Sequence, residues 1–411
     1  MPPSPVGIEA INLYGSTLCM KQADLARARG RDPHRVVHDY LIDTRSLLPP
    51  WEDTVTMAAN ASRPLLEVTD PERIGLFVMG TEGGLDFGKS TSTQVHAALG
   101  LHANVRNYEI KHACYGGAAA VDAAVNWIAS GLNRGPTALV IAADFSRQNF
   151  GEEHEFMLGA SAVAAVLGDV PRVLAFEPEV RGTWTTHAYD TYRPTARMEC
   201  GNSKESLFTY LDALTGSWEH YLSESAVPVD FATHFEHLVY HMPFPGMAFQ
   251  AHRTLSNLGG RRSKQEVQAD FDRRVSPSRH FPKRLGSQYS ASNLAGLCGL
   301  LAAAPQATAG DRIGFFAYGS GAIGEFYSGL LGEEARQVLS PARWDEQLDA
   351  RRQVTPEEYE LVERTRDTMI EASDVDVDLS LLDAWYDRHY DGRGLLTLNR
   401  IRNHQRSYVW S

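Results

Sequence analysis

The chain has 411 residues, 43% hydrophobic and 22% charged, an ordinary globular balance that excludes a disordered or fibrous polypeptide. Fifty-one Asp and Glu against 39 Lys and Arg leave a net charge of −12, which argues against a protein that wraps nucleic acid. At roughly 150 residues per domain, the length corresponds to two or three domains or one large duplicated one. Cys19, Cys114, Cys200 and Cys298 are scattered without a CxxC pair. That spacing speaks against a disulfide scaffold or a cysteine-rich zinc site, and for a reducing compartment. The first residues carry no charged-then-apolar leader, and no run of about 18 apolar residues occurs. The expectation is a cytoplasmic protein with no membrane segment.

In chain order, Ile74–Gly80 (IGLFVMG) is the first short apolar run that reads as a buried strand. A strand is also expected over Val105–Ile110, followed by a small-residue helix over Ala113–Leu132. Strands follow at Ala138–Ala143 (ALVIAA) and Ala162–Leu167 (AVAAVL). The segment 170–210 is aromatic and polar and reads as loops over a site. Next come a strand at His237–Tyr240, helices at Gly246–Leu258 and Ser290–Ala304, and a strand at Ile313–Tyr318. Residues 253–284 hold nine Lys or Arg against three Asp or Glu. From about residue 333 the chain is charged and helical in pattern (EEARQVL, PEEYELVERTRDTMIEA) and ends in a tail rich in Arg and aromatics. Short strands apolar on both faces, alternating with helices, give an α/β class with layered sheets.

Four places could carry chemistry. Cys114 follows a strand and opens a small-residue helix, where the helix dipole favours a thiolate and lowers its pKa. The alternative is a small core residue. Gly116 and Gly117 would let an acyl chain or another backbone approach closely. Glu82, in Gly80-Thr81-Glu82 at a strand end, is a carboxylate that burial could raise toward neutrality for proton transfer to and from carbon; in water it is only a turn residue. His241, also at a strand end, could donate a hydrogen bond or act as an acid, although the chain has fifteen histidines. Gly319-Ser320-Gly321 is a turn whose backbone N–H groups could supply part of an oxyanion hole, and such turns are common.

Together and in this order, these pieces resemble the 3-hydroxy-3-methylglutaryl-CoA synthase family of the thiolase superfamily. The resemblance rests on GTE (80–82), KHACYGGAAAVDAAVNWI (111–128), RGTWTTHAYDTYRP (181–194), HMPFPGMA (241–248) and YGSG (318–321). It implies a five-layered αβαβα fold with two pseudo-equivalent halves, 1–170 carrying Glu82 and Cys114 and 171–411 carrying His241 and Ser320, in a homodimer. It implies Cys114 as acyl acceptor, Glu82 as general base and then acid, and His241 as orienting donor. Oxyanion and substrate contacts are placed at Ser320, Gly319, Ser287, Tyr289 and Tyr189, with oxyanion donors at the backbone N–H groups of Cys114 and Ser320. No metal and no cofactor are implied, since acyl groups arrive on phosphopantetheine thioesters.

Two departures from the family pattern bear on the substrate. The usual Gly-Asn-x-Tyr segment has Ser287 in place of Asn, and the helix after His241 carries Gly246, Phe249 and Gln250 where lysines usually approach CoA phosphates. The blocks LDFGKSTST (85–93), RNYEIKHACYGG (106–117) and GSGAIGEFYSG (319–329) are similar to the hydroxymethylglutaryl-ACP synthase branch of polyketide β-branching. That likeness implies acyl carrier proteins as donor and acceptor partners. Arg253, Arg261 and Arg262 of the basic stretch would meet an acidic carrier protein by charge complementarity, or the stretch is a solvated face or a site for the phosphopantetheine phosphate only. The alternatives are a mevalonate-pathway synthase using acetyl-CoA and acetoacetyl-CoA, a ketoacyl synthase of the same fold, and an inactive scaffold that binds carrier proteins.

Overall fold

The computed structural model describes residues 5–131, 136–147, 149–338 and 342–411. Ten strands form one mixed sheet. From one edge to the other they are His237–Tyr240, Arg312–Gly319, Ile323–Leu331, Leu174–Phe176, Gly7–Tyr14, Ala160–Gly168, Thr137–Phe145, Ile74–Gly80 and Arg106–Ile110, with Gly182–Thr185 paired to Ile323–Leu331. The strands that end at the site run parallel to one another where they pair: Ile74–Gly80 lies beside Arg106–Ile110, and His237–Tyr240 lies along Arg312–Gly319, whose other neighbour Ile323–Leu331 is antiparallel.

Strand Thr137–Phe145 shows why the layers form. Ala138, Val140 and Ala142 face one core, and Leu139, Ile141, Ala143 and Phe145 face another. Side chains alternate across a strand, so a strand apolar at every position must be covered on both faces. Helix Thr54–Leu66 covers the outer face. Its first turn is held by Asp53, which accepts from the backbone N–H groups of Val55 and Thr56. Helices Gly116–Ala129 and Ser292–Ala303 fill the middle. Helix Ser203–Glu224 covers the far face of Arg312–Gly319 and Ile323–Leu331 around an aromatic core of Trp218, Tyr221, Phe235 and Phe326. The result is the expected αβαβα sandwich. In its middle layer a Cβ at Gly117 would sit 2.1 Å from the Ser290 carbonyl oxygen, so these two segments meet backbone against backbone there.

All six expected strands form, within two residues at either end. The expected helices form as Gly116–Ala129, Met247–Leu258 and Ser292–Ala303, and Leu132 of the first lies outside the described residues. Strand Gly7–Tyr14 went unread because Glu9 and Asn12 interrupt its apolar pattern, yet every residue in it is buried. The segment read as loops also holds strands Leu174–Phe176 and Gly182–Thr185 and the start of the 22-residue helix Ser203–Glu224. Near residue 333 the expected helix is a turn through residue 337, and Leu339 lies outside the described residues. Helix Pro356–Thr368 does form, and the tail is the hairpin Leu396–Arg402 and Gln405–Trp410. Leu396 joins the outer core of the first half, and Asn60 of helix Thr54–Leu66 bonds its backbone. Among the described residues no helix is long and apolar enough to cross a membrane.

Candidate active site

Four strand ends converge on one cavity of about 320 Å³. Glu82 follows Ile74–Gly80, Cys114 follows Arg106–Ile110, His241 follows His237–Tyr240, and Ser320 follows Arg312–Gly319. In open α/β sheets, the carboxyl ends of strands are where ligands bind. Ser287, Tyr289, Tyr210 and Tyr318 complete the wall around them. Two lining residues, Ala113 at φ 43° and Tyr289 at φ 49°, hold the left-handed backbone that non-glycine residues avoid. The first places Cys114 at the cavity.

The Cys114 thiol donates to Glu82 Oε1 at 3.3 Å. Burial pushes the Glu82 carboxyl up to about 7, with Arg193 pulling against that rise. The raised carboxyl expected from sequence is therefore present. The lowered thiol is not: burial first, and the Glu82 carboxylate second, push Cys114 well above its ordinary value. Helix Gly116–Ala129 begins two residues later, but burial, and after it the carboxylate within hydrogen-bond reach, decide the state of the thiol. Cys114 rests as a thiol whose proton is already aimed at a base.

His241 is buried, and burial drops its pKa to about 3, so the ring is neutral at ordinary pH. Neither ring nitrogen has a partner among the described residues. Its backbone is fixed instead, with its N–H donating to the Phe316 carbonyl at 2.7 Å and its carbonyl accepting from the Tyr210 hydroxyl at 2.7 Å. A neutral imidazole facing a cavity can give one hydrogen bond to a carbonyl without bringing charge.

Asp144, fully buried in strand Thr137–Phe145, ties the site together. Its Oδ1 accepts from the backbone N–H groups of Glu82 at 2.9 Å and Gly83 at 3.0 Å and from the Thr81 hydroxyl at 2.8 Å. Its Oδ2 accepts from the Ser290 backbone N–H and hydroxyl, so one carboxylate fixes two turns far apart in the chain. Arg193 donates to the Glu82 carbonyl at 3.2 Å and to Glu199 at 2.6 and 2.9 Å, with its guanidinium over the Tyr289 ring. Asp190 accepts from the Tyr318 hydroxyl at 2.5 Å and the Gly321 N–H at 2.9 Å, which holds the turn at Ser320. Sequence reading singled out none of Asp144, Arg193, Glu199 or Asp190. Arg193 and Asp190 lie inside the quoted block 181–194, so a charged pair amid aromatics was the available signal.

Of the expected contacts, Ser287, Tyr289 and Ser320 line the cavity. Gly319 lies just behind it, where a Cβ would sit 2.6 Å from Tyr115 Cβ. Tyr189 does not reach the cavity: it is 63% exposed and packs on His187 and Tyr192, and its neighbour Asp190 is the residue turned inward. Arg253, Arg261 and Arg262 also lie off the cavity. Much of the basic stretch is neutralised within the chain. Arg262, Arg273 and Arg274 all pair with Asp270, and Arg284 pairs with Asp345 and Asp349. Arg253, Arg261 and Lys264 stay exposed, without an ion pair among the described residues.

The chain matches the N-terminal model of hydroxymethylglutaryl-coenzyme A synthase over residues 2–171 and the C-terminal model over residues 247–390. It belongs to the hydroxymethylglutaryl-CoA synthase family. It is 36% identical over 375 residues to the polyketide biosynthesis 3-hydroxy-3-methylglutaryl-ACP synthase PksG of Bacillus subtilis, covering 87% of both chains. It is 31% identical over 382 residues to the hydroxymethylglutaryl-CoA synthase of Enterococcus faecalis, covering 92% of this chain and 95% of that one. Among solved structures, the curacin pathway HMG synthase in complex with acetyl donor-ACP matches with a TM-score of 0.94 at 33% identity, covering 99% of this chain and all of that one. MvaS in complex with 3-hydroxy-3-methylglutaryl coenzyme A matches with a TM-score of 0.88 at 32% identity, covering 99% of each chain. The thiolase-like architecture and the membership of a carbon–carbon bond-forming enzyme family thus agree with the layers and the cavity.

Proposed function

We propose that this protein is a hydroxymethylglutaryl-ACP-synthase-type enzyme. It condenses an acetyl group from a loaded carrier protein with the β-ketone of a β-ketoacyl carrier protein. The observation that carries the reading is the 3.3 Å contact between Cys114 and Glu82, in a cavity shared with neutral His241. Glu82 takes the thiol proton as sulfur attacks the donor thioester, then gives it to the departing pantetheine thiolate. The carboxylate next removes a proton from the methyl of acetyl-Cys114. The enolate adds to the ketone of the acceptor, and Glu82 returns its proton to the new alkoxide. Water finally attacks the Cys114 thioester, loses a proton to Glu82, and the proton restores the thiol. A base near pH 7 serves each step in both directions. His241 and backbone donors at Cys114 and Ser320 hold the carbonyl oxygens as charge develops. This chemistry is heterolytic and needs no metal and no redox cofactor.

The choice of carrier protein over CoA is supported by the similarity to PksG and to the donor-ACP complex of the curacin synthase. Gly246, Phe249 and Gln250 after His241 supply no cation for a CoA phosphate. Exposed Arg253, Arg261 and Lys264 can meet an acidic carrier protein. We read the molecule as a homodimer of this chain, since strand Arg106–Ile110 closes one edge of the sheet and an edge strand is a template for a second copy. The test is intact-mass measurement after mixing with acetyl-loaded carrier protein or with acetyl-CoA, with the label mapped by peptide. Fast acetylation of Cys114 from the carrier protein supports the reading. Fast acetylation from acetyl-CoA alone moves it to the mevalonate synthase, and no label from either donor moves it to the inactive scaffold.

A further inference from the structure

Arg193 faces three acceptors at once. Glu199 takes two short hydrogen bonds from it, at 2.9 and 2.6 Å, and the Glu82 backbone carbonyl takes a third at 3.2 Å. The Glu82 carboxylate is left at 3.6 Å from Nε, within ion-pair range but beyond a hydrogen bond. The side chains of Arg193, Glu82 and Glu199 are 12%, 10% and 9% exposed, so water screens little between them. The Tyr289 ring, 5.1 Å from the guanidinium carbon, fixes the plane of the fork. A guanidinium is a rigid planar fork, and here its Nε and Nη2 donors are aimed at Glu199 and not at the Glu82 carboxylate.

We propose that Arg193 and Glu199 are positioning residues for Glu82, with Glu199 drawing off the cation so that Glu82 stays loosely paired and free to move between Cys114 and the acyl group. The assignment rests on Glu82 acting as the base. The other titratable groups around Glu82 are the Cys114 thiol, the Asp144 carboxylate beneath its turn and the Tyr289 hydroxyl. His241, Glu153 and His154 also line the cavity. None of these competes for Arg193 by a hydrogen bond. Removing Glu199 lets the guanidinium close on Glu82, holding it as carboxylate to lower pH and making it a weaker base. Removing Arg193 leaves two buried carboxylates facing each other, and Glu82 then keeps its proton to higher pH.

The two removals therefore act in opposite directions. Acetyl-Cys114 enzyme is placed in deuterated buffer across a pH series, and deuterium uptake into the acetyl methyl is read by peptide mass. This needs no acceptor substrate. Glu199→Gln moves the acidic limb of exchange to lower pH, and Arg193→Gln moves it to higher pH, with the rate at a fixed pH on that limb changing about tenfold per unit moved. Arg193→Lys keeps the cation and restores the limb toward its original place. Should Arg193→Gln fail to take acetyl, Glu199→Gln and Arg193→Lys decide alone. An unmoved limb, or displacement of both variants in the same direction, overturns the inference. Undiminished exchange in Glu82→Gln would instead overturn Glu82 as the base, so the two failures are separable.

Discussion

The two walls of the cavity are built on opposite electrostatic plans. On the wall that carries Glu82 and Cys114 the charges gather: Asp144 beneath, Arg193 and Glu199 beside them, with each buried group hydrogen-bonded. On the wall that carries His241 the ring is neutral and lacks a partner among the described residues, beside the hydroxyls of Tyr318 and Ser320. Protons can be exchanged on the first wall because a carboxyl near pH 7 sits there. Dipoles alone are offered by the second. A reaction that makes a carbanion and then an alkoxide needs both, and separating them keeps the base from being neutralised by a cationic histidine.

The largest effects are expected on the wall that carries Glu82 and Cys114. Cys114→Ala should abolish acyl-enzyme formation altogether, read as the absence of a mass shift with acetyl-loaded carrier protein. Glu82→Gln should lower condensation by about 10²–10⁴-fold, while Cys114 still acetylates, more slowly. The same variant has a stability signature. The folded protein holds the Glu82 proton up to about pH 7 against an ordinary 4.5. Its contribution is therefore full below about 4.5 and is lost as pH rises through 7. Glu82→Gln should melt higher than the parent at pH 8 and show no gain at pH 4.5, measured by thermal unfolding.

On the second wall the expected effects are smaller and do not depend on pH. His241→Ala should cost condensation about 10²–10³-fold while leaving the acidic limb of the pH profile unmoved, since His241 does not titrate near it. Ser287→Ala removes one hydroxyl from the cavity and should raise the acceptor KM about threefold to tenfold, with Cys114 acetylation unchanged. Outside both walls, Arg253→Glu with Arg261→Glu should raise KM for a carrier-protein donor several-fold, an effect that fades with salt. Equal loss with acetyl-CoA would remove the docking role of these arginines.

Glu82, Cys114 and His241 were legible because each follows a short strand and precedes a glycine-rich or helix-starting segment, a local pattern. Asp144 was not, because in sequence it is one polar residue ending an apolar strand. Its role exists only once Ser290, 146 positions away, arrives beside it. Tyr189 is placed at the site by the resemblance, but adjacent residues of an extended segment point opposite ways, and the backbone path turns Asp190 inward instead. Arg262 counted as a free cation until Asp270, two turns along the next helix, was seen to take it.

The sequence by itself determined the layered α/β class, the strand ends that carry the chemistry, and the family, because these depend on apolar runs and short motifs confined to neighbouring residues. Only the tertiary structure decided the protonation states. A thiol that a helix terminus alone would acidify is held protonated, and a carboxyl is held near neutrality, because burial and charges brought from distant segments act through space over a few ångströms. Such distances are fixed by packing, and no spacing along the chain encodes them.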